Sequence, residues 1–377
     1  MVAGRLKDKS RNLPAGDGGL RPPLTWLLGA AAAVYGGAVR MRADCYRHSL
    51  LARPRRLGCP VISIGNLSAG GTGKTPMAIL VAGRLCDRGW RVVVLSRGYG
   101  GRAERHGGVV SDGRSLLMNP AMAGDEPFLM AVTLPQVPVI VGRDRHAAGM
   151  QALEKFAAQV LVLDDGFQHL RLARDLDVVL LDAADPLAGG RLIPRGMLRE
   201  PPAALSRAHT VVLTRAGRLT PQVLAARTAQ VRRWCPRAPI FAARHAAFVR
   251  GMAAAGRLPP PAVPLPAAAG LGGRALFAFS GIARNADFRR SVVRLGGRIA
   301  GYREFSDHHA YTPNDQAAVI HAAQQAGAEA LVTSEKDYVR LARPFRWPLD
   351  LLVLGVRMQL LDASCAFNGL LESVVRP

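Results

Sequence analysis

Short apolar runs recur along this chain, separated by stretches in which apolar positions follow a helical spacing. Val61–Ile64, Arg91–Leu95, Val137–Val141, Val160–Leu163, Asp177–Asp182 and Thr210–Thr214 each have the length and β-branched content of a buried strand. Between them, Met77, Ile79, Leu80, Val81 and Leu85 mark one helix, and Phe128, Leu129 and Met130 mark another. Strand and helix alternate from about 58 to 245, which predicts a mostly parallel sheet with helices on both faces. Residues 246–273 read as a linker, since 252–272 are rich in Ala, Pro and Gly. A smaller C-terminal α/β domain is expected over 274–377, built on Ala275–Gly281, Ala330–Thr333 and Leu351–Val356. At the other end, 1–21 are polar and Gly-rich and read as a disordered tail. In 22–57, an uncharged stretch Leu24–Val39 is followed by Arg40, Arg42, Arg47, Arg53, Arg55 and Arg56. That stretch is shorter than the roughly 20 residues a spanning helix needs. It predicts a membrane-associating helix lying in the interface, with Trp26 and Tyr35 at the headgroups.

The chemistry starts where the first strand ends. Ser68-Ala-Gly-Gly-Thr-Gly-Lys-Thr75 joins that strand to a helix, the context of a phosphate loop. Gly70, Gly71 and Gly73 free backbone N–H groups to point at phosphate oxygens; Lys74 adds a charge and Thr75 a hydroxyl for Mg²⁺. Ser68 stands where the pattern has its first glycine. Val160–Asp164 is an apolar strand ending in an acid, so Asp164 and its neighbour Asp165 are placed for a metal on the nucleotide. Together these segments predict a nucleotide-phosphate site. In an open α/β sheet, strand ends face the ligand crevice, which puts Arg97, Tyr99 and Arg143 near it. The basic loop Gly190–Pro201, with Arg195, is a further candidate for anionic substrate. Asp125 and Glu126 open a helix, where acids are also favoured by its dipole.

Charge sharpens this picture. The 377 residues carry 50 Lys and Arg against 27 Asp and Glu, a net +23, which points to an anionic partner. Aromatic residues make up only 6%, and none are interleaved with basic ones as nucleic-acid binding requires. Only five of the basic residues are lysines, which singles out Lys74 and Lys336 within their motifs. Five scattered cysteines without C-x-x-C spacing predict reduced thiols and no zinc site.

Six segments occur in a fixed order: Gly-Gly-Thr-Gly-Lys-Thr-Pro, Ser-Arg-Gly-Tyr-Gly, Gly-Asp-Glu-Pro, Asp-Asp-Gly-Phe-Gln-His, Phe-Ser-Asp-His-His and Ser-Glu-Lys-Asp. In this combination, the chain from about Leu24 onward resembles the tetraacyldisaccharide 4'-kinases, the lipid A 4'-kinases of Gram-negative bacteria. The resemblance implies ATP- and Mg²⁺-dependent phosphorylation of the 4'-hydroxyl of a tetraacyldisaccharide 1-phosphate at the cytoplasmic face of the inner membrane. It implies no nucleic acid and no obligate protein partner. Ser68 to Thr75 would bind the nucleotide, with Lys74 on its phosphates. Thr75, Asp164 and Asp165 would lie on the metal side, with Gln168 nearby. Asp125 would accept the hydroxyl proton, with Glu126 supporting the geometry of the site and His308 pairing with Asp125. His309 is the alternative partner. Arg97, Tyr99, Arg143 and Arg195 would meet substrate. A P-loop GTPase or metallochaperone-like switch is the competing class, but it calls for Asn-Lys-x-Asp after a late strand. Thr210-Val-Val-Leu-Thr-Arg-Ala does not supply it.

Overall fold

Six buried β-branched runs cannot each satisfy a private core, and the chain lays them side by side. The computed structural model describes residues 22–48, 53–268, 270–361 and 364–376. The tail expected over 1–21 lies outside the described residues. Helix α1 (Pro22–Arg47) leads into β1 (Val61–Asn66), α2 (Lys74–Cys86), β2 (Val92–Ser96), β3 (Gly108–Ser111), α3 (Pro120–Ala123) and α4 (Asp125–Thr133). Then come β4 (Val139–Val141), α5 (Arg145–Phe156), β5 (Val160–Asp164), β6 (Leu176–Asp182), β7 (Thr210–Thr214) and α6 (Pro221–Arg232). The C-terminal part comprises β8 (Ile240–Ala253), β9 (Gly256–Arg257), β10 (Ala275–Ser280), α7 (Asn285–Arg294), β11 (Arg298–Glu304) and α8 (Pro313–Gln325). It ends with β12 (Ala330–Ser334), α9 (Glu335–Arg340), β13 (Arg346–Trp347), β14 (Leu351–Leu360) and α10 (Ser364–Val375).

One twelve-stranded sheet runs through all of this, in the order β11-β10-β12-β14-β8-β7-β6-β1-β5-β2-β4-β3. It is parallel except for the β3–β4 edge and the β8–β14 pair. That second antiparallel pair joins two parallel lobes of opposite strand direction. β7 pairs with β8 up to Leu213↔Ala242, while β12 and β14 meet β8 through Ser334↔Leu354↔Val249. The carboxyl ends of strands from both lobes therefore face the same stretch of β8. This is the cleft.

Two expectations change here. The linker expected from 246 begins inside β8, which continues to Ala253. Its apolar residues are interrupted by Arg244, His245 and Arg250, and pairing with β14 supplies the order that burial supplies elsewhere. Helix α1 has 26 residues, so it continues through Arg40, Arg42 and Arg47, three of the six arginines that were expected to follow it. Its length and composition are sufficient to cross a membrane. One face of it nevertheless packs on the protein: Ala32 is buried, Gly36 leaves room for Leu192, and Tyr35 Oη donates to Arg199 O at 2.8 Å. The opposite face leaves Trp26 81% and Val34 75% exposed, with Leu27 and Met41 beside them.

Candidate active site

The phosphate loop is built from its own backbone and one asparagine. Asn66, at the end of β1, donates through Nδ2 to Ser68 O at 2.7 Å and Thr72 Oγ1 at 3.0 Å, which curls the loop. Gly73 takes φ 95°, and a Cβ there would fall 2.3 Å from His245 Nε2 and 2.8 Å from Met358 Cε. Only glycine fits that corner. Helices α5, α6 and α8 are capped by Asp144, Thr220 and Thr312 side chains, whereas α2 has no side-chain cap. Its first-turn N–H groups are left for an anion, aided by the helix dipole. The basic loop runs alongside, with Ala69 N donating to Met197 O at 2.7 Å and Arg199 N to Leu67 O at 2.7 Å.

At the end of β5, Asp164 and Asp165 diverge. Asp164 is 2% exposed and its Oδ1 is buried with no hydrogen-bond partner. Burial, then the nearby charges of Glu126 and Asp165, push its pKa up to about 7. A shielded carboxylate oxygen without a donor fits a divalent cation. Among the described residues no group of three or more His, Cys, Asp and Glu side chains converges as a metal site. That suits Mg²⁺, which uses one or two carboxylates and takes its other oxygens from water and phosphate. Asp165 has different company. Arg199 grips both its oxygens, at 2.9 and 3.0 Å, and Lys74 Nζ lies 3.7 Å away. Gln168 turns its amide nitrogen to Asn66 O at 2.9 Å and to Glu200 Oε1 at 3.0 Å, leaving Oε1 buried without a partner.

The C-terminal lobe closes the cleft with charge. His308 Nδ1 lies 3.3 Å from Asp125 Oδ2, and the Arg340 Nε donates to the same oxygen at 2.5 Å. Burial opposes the Asp125 carboxylate, but His308 and Arg340 outweigh it and hold its pKa below the usual range. The hydrogen bond to Asp125 in turn raises that of His308. His309 is turned away: its Nε2 meets Asp315 Oδ2 at 3.1 Å and its ring stacks on Phe305. The ring that reaches Asp125 is therefore His308. Glu126 pairs with Lys336 Nζ at 2.6 Å, and that charge, working against burial, holds its pKa down at about 2.

The substrate candidates separate into two groups. The Tyr99 ring stands edge-on to His308, with 6.3 Å between centroids, at the cleft. Arg195 sits on the basic loop against Gly29 of α1. Arg97 is paired with Glu104 at 2.6 Å, and the backbone N–H of Arg143 donates to Glu104 O, so both segments meet at Glu104. Sequence reading missed Asn66, Arg199, Glu200 and Arg340. Arg199 and Glu200 lay inside the basic loop that was singled out. Arg340 carried no local signal, since its partner is 215 positions away.

A phosphate cradle, a buried carboxylate and an Asp–His pair that spans the cleft fit a phosphotransferase, the activity for which known proteins of similar sequence are named. The family model described as tetraacyldisaccharide-1-P 4'-kinase matches residues 24–376. Proteins named tetraacyldisaccharide 4'-kinase include one from Anaeromyxobacter dehalogenans, 46% identical over 85% of this chain and 83% of its own length. Another, from Syntrophus aciditrophicus, is 40% identical over 90% of both chains. LpxK from Aquifex aeolicus, solved in complex with ATP, superposes with a TM-score of 0.71 at 30% identity, covering 94% of this chain and 100% of that one. With a model spanning nearly all of it and relatives this similar over most of their length, the chain belongs to the tetraacyldisaccharide-1-phosphate 4'-kinase family.

Proposed function

We propose that this protein transfers the γ-phosphate of ATP to the 4'-hydroxyl of a tetraacyldisaccharide 1-phosphate, giving the 4'-phosphorylated lipid A precursor. The observation that carries the reading is Asp125 paired with His308 across the cleft that also holds the phosphate loop. Phosphoryl transfer of this kind runs on positioning and charge neutralisation. Lys74 and the free N–H groups at the start of α2 hold the nucleotide phosphates. Thr75 and Asp164 would hold Mg²⁺, with Asp165 and Gln168 beside them; when bound, it neutralises charge on the phosphates. Asp125, kept ionised, accepts the hydroxyl proton, and His308 orients that carboxylate through the hydrogen bond to Oδ2. Lys336 brings a cation to the same space from the other lobe, held there by Glu126. Tyr99 and Arg195 line the approach of the acceptor. Arg97, paired with Glu104, and Arg143 are further cations for the acceptor's phosphate.

Purified protein is expected to move ³²P from Mg²⁺-ATP onto tetraacyldisaccharide 1-phosphate in detergent micelles. ATP binding without labelled lipid would overturn the assignment of the acceptor.

Helix α1 supports a reaction at a membrane surface. Its exposed Trp26, Leu27, Val34 and Met41 face outward, and Arg40, Arg42 and Arg47 follow in its last turns. An apolar face with a basic end suits the anionic cytoplasmic leaflet of the inner membrane, with the helix lying in the interface while its inner face stays on the protein. Trp26→Ser combined with Val34→Ser should lower co-sedimentation with anionic liposomes several-fold and leave micellar turnover within about twofold, since each change removes only apolar contact with lipid. Unchanged sedimentation would move membrane binding to another surface.

A further inference from the structure

The segment Ser334-Glu-Lys-Asp337 was singled out by sequence, and Asp337 has no role so far. It is 0% exposed, and three groups fix it: Gly281 N at 3.0 Å, Tyr311 Oη at 3.1 Å and Ser334 Oγ at 2.5 Å. These come from the ends of β10 and β12 and from the loop after β11. An aspartate so held is an anchor, and what it anchors lies one turn on. Arg340 places Nη1 3.4 Å from Asp337 Oδ1 and 3.0 Å from Gly281 O. With that end of the guanidinium pinned, Nε points at Asp125 Oδ2 and Nη2 comes within 3.3 Å of His308 Nδ1. The Arg340 side chain is 5% exposed.

We propose that Arg340, seated on Asp337, is a positioning residue that fixes Asp125 and His308 in one geometry for proton acceptance. Both Arg340 and His308 contact Oδ2, which leaves Oδ1 of Asp125 to meet the acceptor hydroxyl. A planar fork is needed because three acceptors lie in different directions: an anchor carboxylate, a carbonyl and the base, with the imidazole packed beside them. A lysine would carry the charge to this place but could not reach all three. Arg340 belongs to one lobe and Asp125 to the other, so this alignment spans the cleft.

The test is a double-mutant cycle in single-turnover phosphoryl transfer to tetraacyldisaccharide 1-phosphate, with melting curves to confirm folding. Arg340→Met should lower kcat on the order of 10²-fold, with the KM values for ATP and lipid within about threefold, as expected for loss of alignment in the transition state. Arg340→Lys should recover part of that loss. In an Asp125→Asn background, Arg340→Met should cost no more than about threefold, because residues acting as a unit are non-additive. The same loss in both backgrounds, full rescue by lysine, or a loss carried by KM would each overturn the proposal. The inference rests on the kinase reading, so a readout without substrate accompanies it. The His308 Nδ1 ¹⁵N resonance should move in Arg340→Met, and an unmoved resonance overturns the contact. If wild type transfers nothing to the lipid, the kinase reading falls, and this resonance alone decides whether Arg340 holds the pair.

Discussion

Asn at position 125 is expected to lower turnover on the order of 10²–10⁴-fold, the range for loss of a positioned general base. The amide is nearly isosteric, so the cleft keeps its shape while the proton acceptor is gone. ATP affinity should hold, because the polar partners of Asp125 are His308 and Arg340 and none belongs to the phosphate loop. Arg340 would face a neutral amide in a buried place, so a lower melting temperature is expected alongside the kinetic loss. The pH behaviour follows from the two shifts. Asp125 has a lowered pKa, so it remains a carboxylate as pH falls through the ordinary aspartate range, and its favourable contribution is lost only as pH falls through that lowered value. His308 has a raised pKa, so it keeps its proton above its ordinary 6.5, and the attraction to Asp125 is lost as pH rises through the raised value. Single-turnover rates beside an ATP titration check the substitution. Turnover close to wild type would remove Asp125 as the base.

Lys74→Ala is expected to weaken ATP binding and to lower turnover on the order of 10²–10³-fold, the usual cost of removing one preorganised donor from a charge-stabilising site. Lys74 Nζ lies 3.5 Å from Asn66 Oδ1 and 3.7 Å from Asp165 Oδ1. Asp165 would keep its bidentate Arg199 after the change, so the cradle should stay folded. The loss then reports the ammonium itself. Calorimetric titration with Mg²⁺-ATP and the lipid transfer assay check it together. Unchanged nucleotide affinity would show that the loop backbone alone holds the phosphates.

How far the sequence discloses this molecule depends on how local each determinant is. The strands of the parallel lobes were legible because each buries nearly every residue, as Val160–Asp164 and Thr210–Thr214 do, and so writes an unbroken apolar run. Strands β8 and β11 were missed because they sit at lobe edges or face the cleft, where Arg, Ala and Gly are tolerated. The phosphate loop and the acid after β5 were legible because their chemistry needs neighbours in sequence. Arg340 and Asn66 were not, because their roles exist only through partners that the fold brings near. The partner of Arg97 was equally hidden: the strand-end rule gave its position, but not that Glu104, seven residues on, pairs with it.

The antiparallel β8–β14 seam also decides how the halves of this protein behave under load. Fourteen residues of β8 reach from the nucleotide lobe deep into the other one, bonded along Ala243–Ala253 to β14. A flexible tether would let the halves swing and melt independently. A shared seam instead makes any opening of the cleft a torsion of the sheet, with restoring force stored in many slightly bent hydrogen bonds. It also binds the fate of the two halves together: neither can lose its order without stripping backbone partners from the other, so the protein unfolds as one cooperative body.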